Sequence, residues 1–245
     1  MNLPANKKPS EFLTRDALAN NMVQKLARER GDGHDLLSDD ELLASRRRLV
    51  GDDWQEEIWL FGYGSLLWNP VIHIDETRMG RIYGYRRRFC LRTSIGRGAP
   101  GNPGLVLALD QGGVCRGLAM RVSAKTAKAR VAELDLLWKR EMLNASYQPK
   151  WVLFYPDADK DEYSKSKSTP AAKPIKCLSF VINRHHRNYV RHLSHEEKVA
   201  MIADAEGFAG PCRDYLTQTH ATLHALGIHD AYVDALYDSV MGIKQ

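Results

Sequence analysis

Short apolar runs separated by glycines fill the chain from Ile58 to Val122, a pattern typical of β-strands joined by tight turns. The adjacent glycines of Asp110-Gln-Gly-Gly113 predict a hairpin turn between the last two runs. This stretch therefore predicts a β-rich core for the fold. The expected strands are Ile58–Phe61, Arg81–Tyr85, Phe89–Arg92, Leu105–Leu109 and Val114–Val122.

Helical patterns follow this strand-rich region. One helix is predicted from about Lys125 to Leu143, and strands are predicted at Trp151–Tyr155 and Ile175–Ile182. The segment 157–174 between those strands is polar, rich in lysine and serine and bounded by prolines, so we expect a flexible surface loop. Three more helices are expected at His195–Glu206, Pro211–Leu226 and Asp230–Val240. Strands that surround one helix, with helices after them, favour an α+β fold over a doubly wound sheet.

Residues 1 to about 55 are more polar and carry helical patterns of their own. The segment Ser38-Asp-Asp-Glu41 has the capping-box pattern that begins a helix. Apolar residues recur at helical spacing at Leu13, Leu18, Met22 and Leu26. We therefore divide the chain into a helical N-terminal extension, residues 1–55, and a larger domain, residues 56–245.

The charge balance allows an anionic small-molecule substrate without requiring nucleic acid. There are 35 basic and 30 acidic residues, for a net charge of +5, and the 44% hydrophobic fraction excludes a disordered chain. Two arginine-rich segments, Tyr85–Phe89 and Arg46–Arg48, could contact RNA. Acidic and basic residues are interspersed around them, however, so we expect no nucleic-acid partner.

We expect a cytoplasmic protein without a membrane segment. The first residues, Met1 to Lys8, lack the apolar run of a secretory signal, and the longest charge-free run, Ile58 to Ile74, is too short for a bilayer span. Reduced thiols are expected because the cysteines are far apart and form no CxxC pair. They are Cys90, Cys115, Cys177 and Cys212.

A glutamate lies within the apolar stripe of the helix predicted after Lys125. On a helical wheel Glu141 falls between Leu134 and Leu137, whereas Glu133, Lys139 and Arg140 lie away from that face. Burial of a carboxylate raises its pKa, which suits a group that takes and returns a proton near neutral pH. A structural glutamate that pairs with a core arginine explains the same pattern, and periodicity alone leaves both interpretations open.

A second candidate feature is the glycine loop after the first strand. In Gly62-Tyr-Gly-Ser65 two glycines allow a sharp turn whose N–H groups can converge on an anion. The spacing fits neither a dinucleotide fingerprint, since Leu67 occupies the third glycine position, nor a P-loop or a nucleophile elbow. A tight turn that binds nothing is at least as compatible with these residues.

In combination, these segments resemble the ChaC-type, glutathione-specific γ-glutamylcyclotransferases over about residues 57–240. The resemblance rests on six segments in order. They are Phe61-Gly-Tyr-Gly-Ser-Leu66 followed by Trp68, Tyr85-Arg-Arg-Arg-Phe89, Pro103-Gly-Leu-Val-Leu-Ala-Leu109, Cys115-Arg-Gly-Leu-Ala-Met-Arg-Val122, Leu137-Trp-Lys-Arg-Glu141 and Gly210-Pro-Cys-Arg-Asp-Tyr-Leu216.

The resemblance implies an α+β fold, with a small, mixed and partly open β-barrel surrounded by helices. It implies cleavage of glutathione to 5-oxoproline and cysteinylglycine, without metal or organic cofactor, in a lyase of glutathione catabolism. Glu141 matches the family's catalytic glutamate. The family's substrate-binding loop matches Gly62, Tyr63, Gly64, Ser65, Leu66 and Leu67.

The same resemblance suggests further substrate contacts. Arg88 and Arg92 could attract the anionic tripeptide, and Tyr63 and Tyr215 could donate hydrogen bonds to the substrate or to Glu141. The chain departs from the family in its longer 157–174 segment and in the segment 183–189. Neither departure touches the expected site.

Other functions remain to be distinguished. The same fold could act on another γ-glutamyl amine or dipeptide, or it could serve as a non-catalytic regulator of cation transport. Four histidines, at 185, 186, 192 and 195, match no metal-binding spacing, and we expect no metal site there. The oligomeric state does not follow from the sequence.

Overall fold

The computed structural model describes residues 13–31, 35–158 and 173–243. Its centre is a closed barrel of five strands. They are β1 (Trp59–Gly62), β2 (Ile74–Thr93), β3 (Gly104–Val122), β4 (Tyr147–Pro156) and β5 (Ile175–Ile182). The order around the barrel is β1-β3-β2-β4-β5, and a parallel pairing of β5 with β1 completes the circle. The α+β barrel fold is thus confirmed, with a barrel that is closed rather than partly open.

Seven helices lie around the barrel in the described residues. They are α1 (Arg15–Ala19), α2 (Met22–Arg30), α3 (Asp39–Val50), α4 (Ala127–Glu141), α5 (His195–Asp204), α6 (Cys212–Ala225) and α7 (Ala231–Gly242). Two-residue strands β6 (Glu206–Gly207) and β7 (Gly210–Pro211) pair between α5 and α6. The predicted helices and the Ser38 capping box are confirmed. None of these helices is both long enough and apolar enough to cross a membrane.

The longest strands of the barrel, β2 and β3, pair antiparallel along nearly their whole lengths. The hairpin turn predicted at residues 110–113 is therefore wrong, because β3 runs straight through that segment. Tyr83 pairs with Val114 and Tyr85 with Gln111, so Gly84 lies opposite two glycines of β3 in a bulge. The glycines have φ values of 81° in β2 and of 98° and 80° in β3, which accommodate the bulge without reversing the chain. The chain reverses instead at residues 94–103.

Helix α4 connects the barrel with the N-terminal helices. The Trp138 ring packs edge-on against Phe180 of β5, with ring centroids 5.4 Å apart, while its Nε1 donates to Ser45 of α3. On the same side of α4, Arg46 of α3, 1% exposed, forms an ion pair with Asp135. Because α3 shares the core of the barrel through its buried apolar residues, the described part of the extension packs as one body with the domain. The boundary near residue 55 stays a prediction, and residues 159–172 of the expected loop lie outside the described ones.

Glu133 does not lie on a solvated face, contrary to the helical-wheel expectation. It is 7% exposed because α1 covers it, and Arg15 donates two hydrogen bonds to its carboxylate at 2.7 and 2.8 Å. The backbone N–H of His73 donates a third at 2.9 Å. Burial alone would raise the pKa of Glu133, but the hydrogen bonds from Arg15 and His73 hold it below the ordinary 4.5.

We expect Glu133→Gln to lower the free energy of unfolding at neutral pH by about 1–3 kcal/mol, because charge-assisted hydrogen bonds become neutral ones. The ionic part of this stabilisation is complete above the pKa that Glu133 has in the unfolded chain. It is lost as pH falls through the lower pKa that Glu133 has in the folded protein. Urea unfolding of both proteins at neutral pH and at about pH 3 measures the difference. A difference that is equal at both pH values would contradict the ionic explanation.

Candidate active site

A cleft of about 180 Å³ opens where the loop after β1, the end of α4, the start of β4 and helix α6 meet. These elements contribute Ser65, Glu141, Tyr147 and Tyr215 to its wall. The same four residues also border an inner pocket of about 20 Å³. The tertiary fold therefore brings the predicted glycine loop, the predicted glutamate and Tyr215 to one place.

Glu141 is the last residue of α4, and its side chain is 12% exposed. Burial raises the pKa of this carboxyl, and the neighbouring guanidinium of Arg140 only partly opposes the effect. The negative end of the α4 dipole also disfavours the ionised carboxylate. Glu141 thus combines a raised pKa with a position on the cleft wall, which is the environment that the apolar stripe predicts.

Arg140 belongs to the cleft as well, although the helical wheel directs it away. Its side chain is 4% exposed; Nη1 lies 2.5 Å from Glu141 Oε1, and Nη2 donates to Ser65 Oγ at 3.0 Å. Successive residues on a regular helix do not face each other. Here the long side chain lies at the last turn of α4 and reaches the cleft, so periodicity did not reveal it.

The loop Gly62–Leu67 follows β1 directly and ends in a 3₁₀ turn at Ser65–Leu67. Two contacts hold it in place: Arg87 Nε donates to the Tyr63 carbonyl at 2.7 Å, and the Tyr63 hydroxyl donates to the Phe180 carbonyl at 2.8 Å. The Leu66 and Leu67 side chains are buried in the core, so only their backbones can serve a ligand. The N–H groups at the start of a helical turn have no partner within that turn.

Gly64 keeps the inner pocket open. A Cβ at this position would lie 3.2 Å from Leu107 Cδ2 and 3.7 Å from the hydroxyl oxygen of Tyr215. A side chain would therefore fill the space between the loop and Tyr215. This close approach is a physical reason for glycine at the centre of the loop.

Three tyrosines surround Glu141. Tyr63 and Tyr215 were expected, whereas Tyr147, whose hydroxyl donates to the Leu107 carbonyl at 2.9 Å, was missed. Burial, with a smaller contribution from the Glu141 charge, raises the pKa of all three phenols, so they are protonated at neutral pH. Tyr147 gave no signal in the sequence because it reaches the site only through the pairing of β4 with β5.

The two arginines of β2 that were proposed as substrate contacts lie in different environments. Arg92 lines the cleft, but Arg88 does not. Arg88 donates to the fully buried carboxylate of Asp110 at 2.9 Å and to the Arg191 carbonyl at 3.0 Å. A register shift in the β2–β3 pairing lies between the two arginines and breaks the regular alternation of side chains. We therefore remove Arg88 from the candidate site, keep Arg92 and add Arg140.

The described residues of the cleft wall include no thiol, and Glu141 is the one side chain among the usual metal ligands. Among the described residues of that wall Glu141 is the one carboxylate, and neither histidine nor cysteine is present. Burial raises the pKa of Cys90 and Cys177 to about 12 and of Cys115 and Cys212 to about 11, so all four thiols are protonated. All four cysteines are unpaired, as expected, and they are buried.

Comparison with known proteins identifies the family. Residues 58–242 match the family described as ChaC-like protein. A glutathione-specific gamma-glutamylcyclotransferase of Escherichia coli K12 is 34% identical over 77% of this chain and 73% of its own length. The human glutathione-specific gamma-glutamylcyclotransferase 1 is 29% identical over 76% of this chain and 79% of its own.

A solved structure supports the fold. The crystal structure of a glutathione-specific gamma-glutamylcyclotransferase from yeast superposes with a TM-score of 0.66 at 20% identity, over 76% of this chain and 96% of the yeast chain. With the family match over residues 58–242, the chain belongs to the ChaC-like family.

Proposed function

We propose that this chain is a γ-glutamylcyclotransferase that cleaves glutathione to 5-oxoproline and cysteinylglycine. The observation that carries the proposal is the position of Glu141, a buried carboxylate with a raised pKa, opposite the Gly62–Leu67 loop in the cleft. The family match over residues 58–242 includes Glu141 and the Gly62–Leu67 loop, and a relative named for this activity is 34% identical over 77% of this chain.

The reaction is intramolecular. The α-amine of the glutamyl group attacks its own γ-carbonyl carbon, a C–N bond closes the five-membered lactam, and the C–N bond to the cysteine nitrogen breaks. No nucleophile of the enzyme is required, and holding the substrate in a folded conformation supplies much of the rate. A cleft without a reactive thiol fits this chemistry.

Proton transfer is the task that remains, and we assign it to Glu141. The α-amine is an ammonium ion at neutral pH and has to lose protons before and during ring closure, while the departing cysteine nitrogen has to gain them. An ionised Glu141 takes a proton from the ammonium and, once protonated, delivers it to the leaving amine. A carboxyl with a raised pKa performs both transfers near neutral pH.

The remaining residues of the cleft are proposed to bind and orient the substrate. Arg92 and Arg140 supply positive charge for the carboxylates of the tripeptide. We assign the binding of the glutamyl carboxylate or of the developing oxyanion to N–H groups of the Gly62–Leu67 loop, other than that of Leu67, which donates to the Gly64 carbonyl. The hydroxyls of Tyr147 and Tyr215 border the same space. Tyr215 can donate to a substrate oxygen, whereas Tyr147, which donates its proton to the Leu107 carbonyl, can only accept a hydrogen bond from the substrate.

Incubation of the purified chain with glutathione tests the proposal, with 5-oxoproline and cysteinylglycine detected by mass spectrometry. Both products are expected in equal amounts. A parallel incubation with γ-glutamyl-alanine distinguishes a glutathione enzyme from a cyclotransferase for other γ-glutamyl compounds. If only γ-glutamyl-alanine releases 5-oxoproline, the chain is a cyclotransferase for other γ-glutamyl compounds. If neither substrate gives a product, the proposed function is refuted.

The pH dependence of kcat/KM should contain an acidic limb that belongs to Glu141. Only the ionised carboxylate can accept the first proton, so kcat/KM should fall as pH drops through the raised pKa of Glu141, with a midpoint above 4.5. Initial rates across the acidic range, with circular dichroism to show that the chain stays folded, measure this limb. A rate that is flat down to about pH 4.5 would contradict a buried, proton-carrying carboxylate.

The proposed compartment is the cytoplasm, and no nucleic-acid partner is proposed. Four unpaired cysteines, all buried, are typical of proteins in reducing compartments, where glutathione is abundant as the thiol. The two arginine-rich segments do not present continuous positive faces, since Arg46 and Arg87 are buried and Arg88 is paired with Asp110.

A further inference from the structure

Two histidines and an aspartate meet on the surface of the α6–α7 pair, and none of them lines the cleft. His220 and His224 are one turn apart on α6, so their rings project from the same face of the helix. Asp234 lies opposite them on α7. Its Oδ1 atom is 2.9 Å from His224 Nε2 and 3.4 Å from His220 Nε2.

The spacing of these atoms suits one metal ion. The three potential ligand atoms all lie within 4.8 Å of one another. A tetrahedral ion with bonds of about 2.0–2.1 Å holds its ligand atoms about 3.3 Å apart, so small rotations of the side chains would bring all three into contact with one ion. Two imidazoles and one carboxylate form a donor set that suits Zn²⁺ and its neighbours among the transition metals.

The surroundings also prepare the histidines for this role. The Tyr237 ring stacks on His220, with centroids 3.9 Å apart and planes 2° from parallel, which restricts rotation of the imidazole. The ring of His229 lies 5.0 Å from that of His224.

We propose that His220, His224 and Asp234 bind one divalent transition-metal ion of the Zn²⁺ class and thereby tie α6 to α7. The ion would be structural rather than catalytic, because the cluster lies outside the cleft. It would nevertheless support the site, because α6 carries Tyr215 and the Phe89 ring packs against both Tyr215 and Tyr232 of α7. The simpler alternative is an ion-paired histidine cluster with no affinity for metal.

Titration of the full chain, without a histidine tag, with ZnCl₂ in a calorimeter tests the proposal. One site per chain is expected for the wild type, together with a rise in melting temperature that depends on the Zn²⁺ concentration. His224→Ala should weaken Zn²⁺ binding at least about tenfold and remove the rise in melting temperature. His224 is exposed, so this variant should fold normally. MgCl₂ should produce neither effect, because Mg²⁺ prefers oxygen ligands.

His192→Ala is the matched control, because His192 is an exposed histidine on the loop before α5, away from the cluster on α6 and α7. It should bind Zn²⁺ as the wild type does. The proposal is wrong if the wild type shows no saturable Zn²⁺ site, if His224→Ala retains full affinity, or if Mg²⁺ binds equally well. These readouts do not involve turnover, so they are independent of the proposed cyclotransferase activity.

Discussion

Replacement of Glu141 by glutamine is expected to lower kcat for glutathione by about 10³-fold, with a smaller change in KM. Glutamine fills nearly the same volume and can still accept a hydrogen bond from Arg140, but it cannot take a proton from the substrate ammonium. The contact of Arg140 with Ser65 remains, so the cleft should keep its shape. Initial rates of 5-oxoproline formation at saturating glutathione measure the effect.

Glu133→Gln is the matched control for this experiment. The same substitution is made on the same helix, at a buried carboxylate that contacts the N-terminal helix rather than the cleft. It should reduce stability and leave kcat within about threefold of the wild type. Equal loss of turnover in both variants would indicate damage to α4 in general and would remove Glu141 from its catalytic role.

The Glu141 experiment also distinguishes an enzyme from a regulator on the same fold. A non-catalytic regulator of cation transport would not depend on a proton-carrying carboxylate, so Glu141→Gln would leave its function intact. If the wild type produces 5-oxoproline from glutathione and the variant does not, the buried carboxylate in the cleft is explained by catalysis. A non-catalytic regulator would not explain it.

Arg140→Met should lower kcat/KM for glutathione by about 10²-fold. A guanidinium that contacts a substrate carboxylate contributes on the order of 1.5–3 kcal/mol for each charge-assisted hydrogen bond, and each 1.4 kcal/mol corresponds to about tenfold in rate or affinity. Most of the loss should be a rise in KM, since we propose that Arg140 binds the substrate. Full kinetic curves in glutathione separate the two constants.

The same variant should also move the acidic limb of the pH profile. Arg140 is the charge that lowers the pKa of Glu141 against the effect of burial, so its removal should shift the limb to higher pH. Arg140→Lys retains the charge without the bidentate donor geometry. Its acidic limb should lie at the wild-type pH, while only part of the affinity for glutathione is kept. Lys139→Met removes the adjacent cation, which contacts Asn21 outside the cleft, and should change neither. A limb unaffected by Arg140→Met would contradict the proposed influence on Glu141.

Local patterns in the sequence were sufficient where a residue's environment depends on its own element. The strand that ends at Gly62, the loop after it and the apolar stripe of α4 follow from residues within a few positions of one another. Glu141 was identified for this reason, since a helix places every fourth residue on one face. The structure also shows that the Gly62–Leu67 loop lies opposite Glu141 across the cleft, which helical periodicity could not predict.

Predictions failed where a residue's surroundings are set by a partner element. The hairpin expected at residues 110–113 is a bulge because β2 places Gly84 opposite it, and no local signal in β3 shows which strand lies alongside. Glu133 and Arg140 were both assigned to the solvated face of α4. One is covered by α1, and the other is buried at the cleft beside the loop that follows β1.

The sequence by itself determined the α+β class, the glycine loop and the glutamate, because turn chemistry and the periodicity of one helix are short-range properties of the chain. Only the tertiary structure decided that Arg140 lies at the cleft and Arg88 does not, and that Tyr147 joins Tyr215 beside Glu141. It also decided that two helices bring His220, His224 and Asp234 together. These groupings join residues far apart in the chain. They depend on the register of strands and on the packing of helices, which are decided by the burial of the whole core rather than by any single segment.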